Sequence, residues 1–346
     1  MTDRRRLPRI GFTMIELLVV IAIIGVLLAI TTGVILRTVQ GRSQQSLTQQ
    51  DIIGLSAALE KFKTDHRDYP PSSLNKNNVL TVLPRLFPGL NPPVGGTKTV
   101  ADMVNAALAP LGLTKDTIDL QGDQCLVLFL AGRHIMSGGK MTEAPSGFSQ
   151  NPASPFMSPT DSSEKVSSSS NTHVGERIAP YFIFDTSRFY QRSTSMPIAS
   201  YGDGFFGTGY DGVAQNTCYA YFSTSFVPVP VTIAGSVGHG FYSETDCNRM
   251  TDALGGYPRP FVNLNATTLL SNRFDYVNPN SFQIISPGPD TLFGKAYKFP
   301  SSKTAAGDLG GISLPTSVPT PTGGTTVVIP AMDNFTNFYA GRLSES

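Results

Sequence analysis

The sequence has no tryptophan, three cysteines and four histidines in 346 residues, and Lys, Arg, Asp and Glu together make up only 15 % of it. Each shortage excludes something. Positive and negative charges nearly cancel to a formal net charge of +1, so no general attraction to nucleic acid is expected. Cys125, Cys218 and Cys247 form no CxxC pair, which removes zinc ribbons and thioredoxin-like motifs. His66, His134, His173 and His239 match neither HExxH nor any other metal-ligand spacing. Gly202-Asp203-Gly204-Phe205-Phe206-Gly207 fits GxGxxG, but a dinucleotide fold needs a long helix next, and Thr208-Gly209-Tyr210-Asp211-Gly212 follows. It reads as a glycine-rich turn. Gly235-Ser236-Val237-Gly238-His239 is not GxSxG and lacks a strand–turn–helix context. No catalytic constellation remains, and the chain is expected not to be an enzyme.

What is plentiful is Gly, Pro, Ser, Thr and Asn, with 33 glycines and 26 prolines, a mix that suits a loop-rich β or α+β domain better than a helical bundle. The other abundance is local. From Leu17 to Leu36 no residue is charged. Twenty residues at a rise of 1.5 Å span about 30 Å, the thickness of a hydrocarbon core. Arg4, Arg5, Arg6 and Arg9 precede the run and would hold that end in the cytoplasm, leaving the rest to be translocated. A secretory signal would have a shorter apolar core and a small-residue cleavage site after it. Here the core is long, and Glu16 stands at its leading edge, where an unpaired charge is costly. On hydropathy alone, a plain signal anchor with an acid near the interface is the alternative.

Gly11-Phe12-Thr13-Met14-Ile15-Glu16-Leu17-Leu18-Val19-Val20 resembles the cleavage and methylation site of type IV prepilins and of type II secretion pseudopilins. The resemblance implies a leader, residues 1–11, cut after Gly11 by prepilin peptidase on the cytoplasmic side. It implies N-methylation of the new terminus, Phe12. It also implies that Glu16 neutralises the terminal amine of a neighbouring subunit during assembly. That role is physically sensible, since a carboxylate and an ammonium are each expensive in a low-dielectric bundle and tolerable together. Met14 stands where leucine is commoner and preserves volume and apolarity.

A membrane helix is therefore expected over 12–36 and its continuation outside the membrane over 37–68. Leu47, Ile52, Leu55, Leu59 and Phe62 recur at helical spacing. Gly33, Gly41 and Gly54 are weak points in that helix, and Tyr69-Pro70-Pro71 cannot continue it. Leu59 to Pro70, an acidic and basic stretch leading into Tyr-Pro, is similar to the helix end of the G-type, or major, pseudopilins. A head would occupy 69–346. Within it Val79–Leu86 and Val100–Leu108 are predicted helices. Cys125–Leu130, Tyr181–Phe184, Cys218–Ser223 and Phe282–Ile285 are predicted strands, and Ser158–Asn171 an exposed loop. The middle, about 72–280, is longer than a G-type head and reads either as an elaborated head or as an inserted subdomain.

The C-terminal part is similar to the same family. Phe282–Asp290 looks like its late strand and Ser-x-Gly-x-Asp turn, and Asp333–Phe338 like its closing acidic, Asn-aromatic segment. The resemblance implies calcium held by Asp290, Asp333 and the amide of Asn334, on a loop rich in oxygen donors. A β-turn Asp and an Asx cap are the alternative at these positions. In an oxidising compartment Cys218 and Cys247, both in polar loop-like surroundings, are the pair expected to bridge; three thiols without a role are the alternative. The expected protein is an α+β pilin-like chain: a long N-terminal helix against a small antiparallel sheet, with a large loop-rich insertion. The resemblance implies a pseudopilin of a type II secretion-like filament, single-pass in a bacterial inner membrane, with its head in the periplasm. Its partners would be prepilin peptidase, copies of itself, other pseudopilins and the inner-membrane assembly platform. A type IV pilus pilin, acting in adhesion or DNA uptake, and an enzyme tethered by a pilin-like anchor are the other readings.

Overall fold

The long N-terminal helix is present as α1, Met14–His66. A computed structural model describes residues 14–159, 177–207, 217–224, 242–243, 245–251, 257–263, 275–276, 278, 280–289, 291–293, 335–337 and 339–342, with backbone alone at 29–40, 262–263, 275–276 and 339–342. The chain divides into two compact units, Met1–Ser46 and Leu47–Ser346.

In the first unit α1 is apolar on every side from Leu17 to Leu28. Met14, Ile15, Leu17, Leu18, Ile21, Val26 and Leu28 are each more than half exposed, although a soluble helix would hide one face. Among the described residues no helix is long and apolar enough to cross a membrane. The described side chains of this run end at Leu28, 15 residues into α1.

The second unit begins where α1 acquires one buried face. Ile52, Leu55, Leu59 and Phe62 are buried, as their spacing predicts; Leu47 is 38 % exposed and stands outside the core. The helix passes through Gly54 without a break because Phe182 covers it: a Cβ there would lie 2.8 Å from Phe182 Cε2. It stops at His66. Arg67 turns the backbone left-handed at φ 66°, and the prolines follow.

The predicted helices form α2 (Val79–Leu86) and α3 (Val100–Leu108). Thr99 caps α3, accepting from Asp102 N while Asp102 reaches back to Thr99 N. The strands are short: β1 (Ser73–Asn75), β2 (Asp119–Gln121), β3 (Ile135–Ser137), β4 (Lys140–Glu143), β5 (Phe148–Ser149), β6 (Arg177–Ile178), β7 (Phe189–Tyr190) and β8 (Ser200–Tyr201). They pair two by two, each antiparallel, as β1–β2, β3–β4, β5–β6 and β7–β8. Later come β9 (Ala220–Ser223), β10 (Val262–Asn263), β11 (Asp275–Tyr276), β12 (Phe282–Ser286), β13 (Phe335–Thr336) and β14 (Tyr339–Arg342). The largest sheet runs β14-β13-β12-β9, antiparallel throughout, with Phe282 opposite Ser223 and Ile285 opposite Ala220. The architecture is α+β.

Two expectations fail. Cys125–Leu130 is not a strand but the body of α4, Gly122–Ala131. Gln121 and Gln124 form a reciprocal cap at its start, and every residue of α4 is buried. A continuous apolar run carries no period, so a buried helix and a buried strand look alike in sequence. Tyr181–Phe184 belongs to no strand; Tyr181 N instead donates to Leu130 O at the end of α4, at 2.7 Å. Of the other strand expectations, Phe282–Ile285 lies within β12, and Cys218–Ser223 shortens to β9 with an isolated bridge from Cys218 to Gly202. The Ser158–Asn171 loop lies almost wholly outside the described residues. One hydrophobic cluster runs from Ile52 of α1 through α2, α3 and α4 to Ile284 and Phe335.

Candidate functional site

The candidate site is α1 itself: its start, where the sequence places processing and assembly, and its last turns, where the head holds it. Gly11 and Phe12 lie outside the described residues. Glu16 lies in the first turn of α1 and is exposed. A carboxylate there complements the positive end of the helix dipole, so the position is favourable locally despite its apolar neighbours.

Within the second unit, α1 is seated by a buried polar node. Asp51 projects from the buried face of the helix, one residue before Ile52 and four before Leu55. Arg188 donates to both of its carboxylate oxygens, at 2.6 Å and 3.2 Å, and Tyr219 Oη donates at 2.9 Å. Arg188 also bonds Tyr201 Oη and the Gly202 carbonyl, and its guanidinium lies 4.4 Å above the Tyr201 ring. Burial works against the Arg188 charge, but Asp51 and the neighbouring tyrosines outweigh it, and its pKa rises. Three residues earlier on the same helix, the glycine-rich segment meets Thr48, with Gly204 N donating to Thr48 Oγ1 at 3.1 Å.

That segment is a turn, as its context predicts, and its acid is structural. Asp203 is wholly buried, accepting from Phe205 N at 3.0 Å, Thr217 Oγ1 at 3.1 Å and Ser286 Oγ at 2.7 Å. Burial pushes its carboxyl up to about 6, against the pull of these bonds. Another turn-forming polar group closes the end of α1. His66 stacks on Phe62 at 4.2 Å, with Nδ1 3.0 Å from Leu86 O and Nε2 3.2 Å from Tyr181 Oη, which donates to Asp65. His134 is buried between Gly132 O and Ala199 N, and burial lowers it to about 4. His173 and His239 lie outside the described residues.

The cysteines are all buried free thiols. Cys218 and Cys247, the pair expected to bridge, share one small apolar cluster with Phe222, Tyr242 and Ile285 but carry no bond between them. Their surroundings are not the polar loops that the local sequence suggests. Asp290, Asp333 and Asn334 lie outside the described residues. The turn before Asp290 is formed, with Gly288 N donating to Ser286 Oγ at 3.2 Å and Gly288 at φ 76°. Among the described residues no three His, Cys, Asp or Glu side chains are grouped to hold a metal ion.

Sequence reasoning missed Asp51, Arg188 and the tyrosines that surround them. A signal for Asp51 was present: a carboxylate at a position that the Ile52, Leu55, Leu59 spacing turns inward requires a buried partner. Nothing local marks Arg188, which comes from 137 residues further along the chain.

With this geometry in view, comparison with known proteins adds one match. Residues 8–32 match the prokaryotic N-terminal methylation motif. No curated protein and no solved structure matches the chain. The match supports a type IV pilin-like protein, a substrate of prepilin peptidase with an N-terminus of the kind used in filament assembly.

Proposed function

We propose that this chain is a pseudopilin, a structural subunit of a short periplasmic filament of the type II secretion kind. The observation that carries the reading is the join of Gly11-Phe12 to Glu16 at the head of an apolar helix, within the matched motif. Prepilin peptidase cuts after Gly11 and Phe12 becomes the methylated N-terminus. Leu17–Leu36 then spans the inner membrane with the arginines on the cytoplasmic side and the head in the periplasm. In the filament Glu16 meets the Phe12 amine of a neighbour, so that neither charge is buried alone. Other pseudopilins and the inner-membrane assembly platform are the partners, and no catalytic chemistry is assigned to the head. The Tyr-Pro exit of α1 and the C-terminal resemblance to G-type heads favour this reading over a pilus pilin, which shares the N-terminus.

Mass spectrometry of the native N-terminus tests it. The expected result is a chain beginning at Phe12 with one added methyl group. An intact Met1, or cleavage after a small residue beyond the apolar run, would remove the prepilin reading.

A further inference from the structure

Asp246 sits in the turn Thr245–Met250, is 8 % exposed, and no Lys or Arg among the described residues is ion-paired with it. Its carboxyl lies against Ser72 Oγ, the residue that follows Tyr69-Pro70-Pro71 at the exit of α1. Ser72 Oγ is also 3.3 Å from the carbonyl oxygen of Ser223, the last residue of β9. A serine hydroxyl has one proton to donate. It serves the Ser223 carbonyl in full, and still bonds Asp246, when Asp246 brings a proton of its own and donates it to Ser72. The two contacts then form a chain: Asp246 O–H to Ser72, Ser72 O–H to Ser223. An ionised Asp246 draws the Ser72 proton to itself and weakens the contact between Ser72 and Ser223.

We propose that Asp246 is a proton-gated latch, which as a neutral acid ties the turn after α1 to the edge of β9 and releases that tie when it ionises. The surroundings agree. The backbone of the turn is fixed to α4 by Gly122 N donating to Asp246 O at 2.8 Å. The ionisable groups that interact with it are thiols, Cys125 on α4 and Cys247 beside it, with the Ser243 hydroxyl as a second bond to the carboxyl. Arg192, the cation in that region, is committed to Asp123, and Arg249 of the same turn to Asp119. Burial accordingly raises Asp246 to about 6, offset in part by the bonds from Ser72 and Ser243.

The direction of the effect follows. An unfolded Asp246 loses its proton near the ordinary carboxylate value of 3.8, while the folded chain keeps it until about 6. The stabilisation is complete below the unfolded value and is lost as the pH rises to the folded one. Two units of separation correspond to roughly a hundredfold change in the folding equilibrium. Buried His66 and His134 shift the other way, so the comparison must be with a variant that keeps them.

The test is urea unfolding of the purified full chain in detergent at several pH values, for wild type and Asp246→Asn. Asparagine is neutral at every pH and donates to Ser72. Wild type should lose up to about a hundredfold in its folding equilibrium relative to the variant between pH 4 and 7. Parallel curves would overturn the proposal. Should Asp246→Asn not fold, the carboxylic-acid infrared band of an Asp203→Asn chain decides, since Asp203 is the other raised acid among the described residues. A component lost with a midpoint near pH 6 supports the latch, and a band lost wholly near the ordinary carboxylate value of about 4 sinks it.

Discussion

At Gly122 a Cβ would lie 1.9 Å from the Tyr221 carbonyl oxygen and 2.8 Å from Cys247 Sγ. The first of these is backbone of β9, pinned on its other side by β12, and has nowhere to retreat. Alanine is intrinsically better than glycine in a helix by about 1 kcal/mol. Here that advantage should be overturned, because overpacking against fixed backbone costs about 1–3 kcal/mol and the 1.9 Å approach is far inside contact distance. Gly122→Ala should therefore lower the stability of the head by about 2 kcal/mol net in urea unfolding. An unchanged or higher midpoint would show that α4 does not press on β9 this closely. The lack of a Cβ at this one residue permits a completely buried helix to start against a strand.

Among the elements, α1 is one whose attachment depends on charge. Asp51 and Arg188 are both nearly buried, at 9 % and 11 % side-chain exposure, so their pair is not a surface salt bridge worth a fraction of a kcal/mol. Removing Asp51 alone strands a buried guanidinium, and Asp51→Ala should destabilise the head by about 3–5 kcal/mol. Replacing both, as Asp51→Leu with Arg188→Met, should cost much less than the sum of the singles. A double-mutant coupling below about 0.5 kcal/mol would reject the node as the seat of the helix. How legible each element was depends on how local its cause is. Val79–Leu86 and Val100–Leu108 could be read because their apolar residues and the Pro and Gly breaks that flank them all lie within a short stretch. Cys125–Leu130 could not, because burial on every side erases the period. The inward face of α1 was readable from Ile52, Leu55, Leu59 and Phe62, but Asp51 acquires its meaning from Arg188, Tyr201 and Tyr219, which only the fold brings near.

The whole molecule joins two kinds of surface: a head whose polar groups are tied inward, and a helix start whose apolar side chains are exposed all round. On the proposed reading the second kind is covered by lipid before assembly and by other copies after it, and the charge at its edge decides whether the copies can pack. Glu16→Ala removes a carboxylate without touching Gly11 or Phe12, so cleavage and methylation should proceed as in wild type. The neighbour's terminal amine would then enter the bundle uncompensated, at a cost of about 3 kcal/mol or more for a buried pair broken on one side. That corresponds to a loss of more than about a hundredfold in subunit association. The measurement is filament yield beside the N-terminal mass of the same preparation. Processed, methylated Glu16→Ala chains that still assemble at the wild-type level would separate the processing signal from the assembly role and refute the latter. Unprocessed chains would instead place Glu16 in recognition by the peptidase.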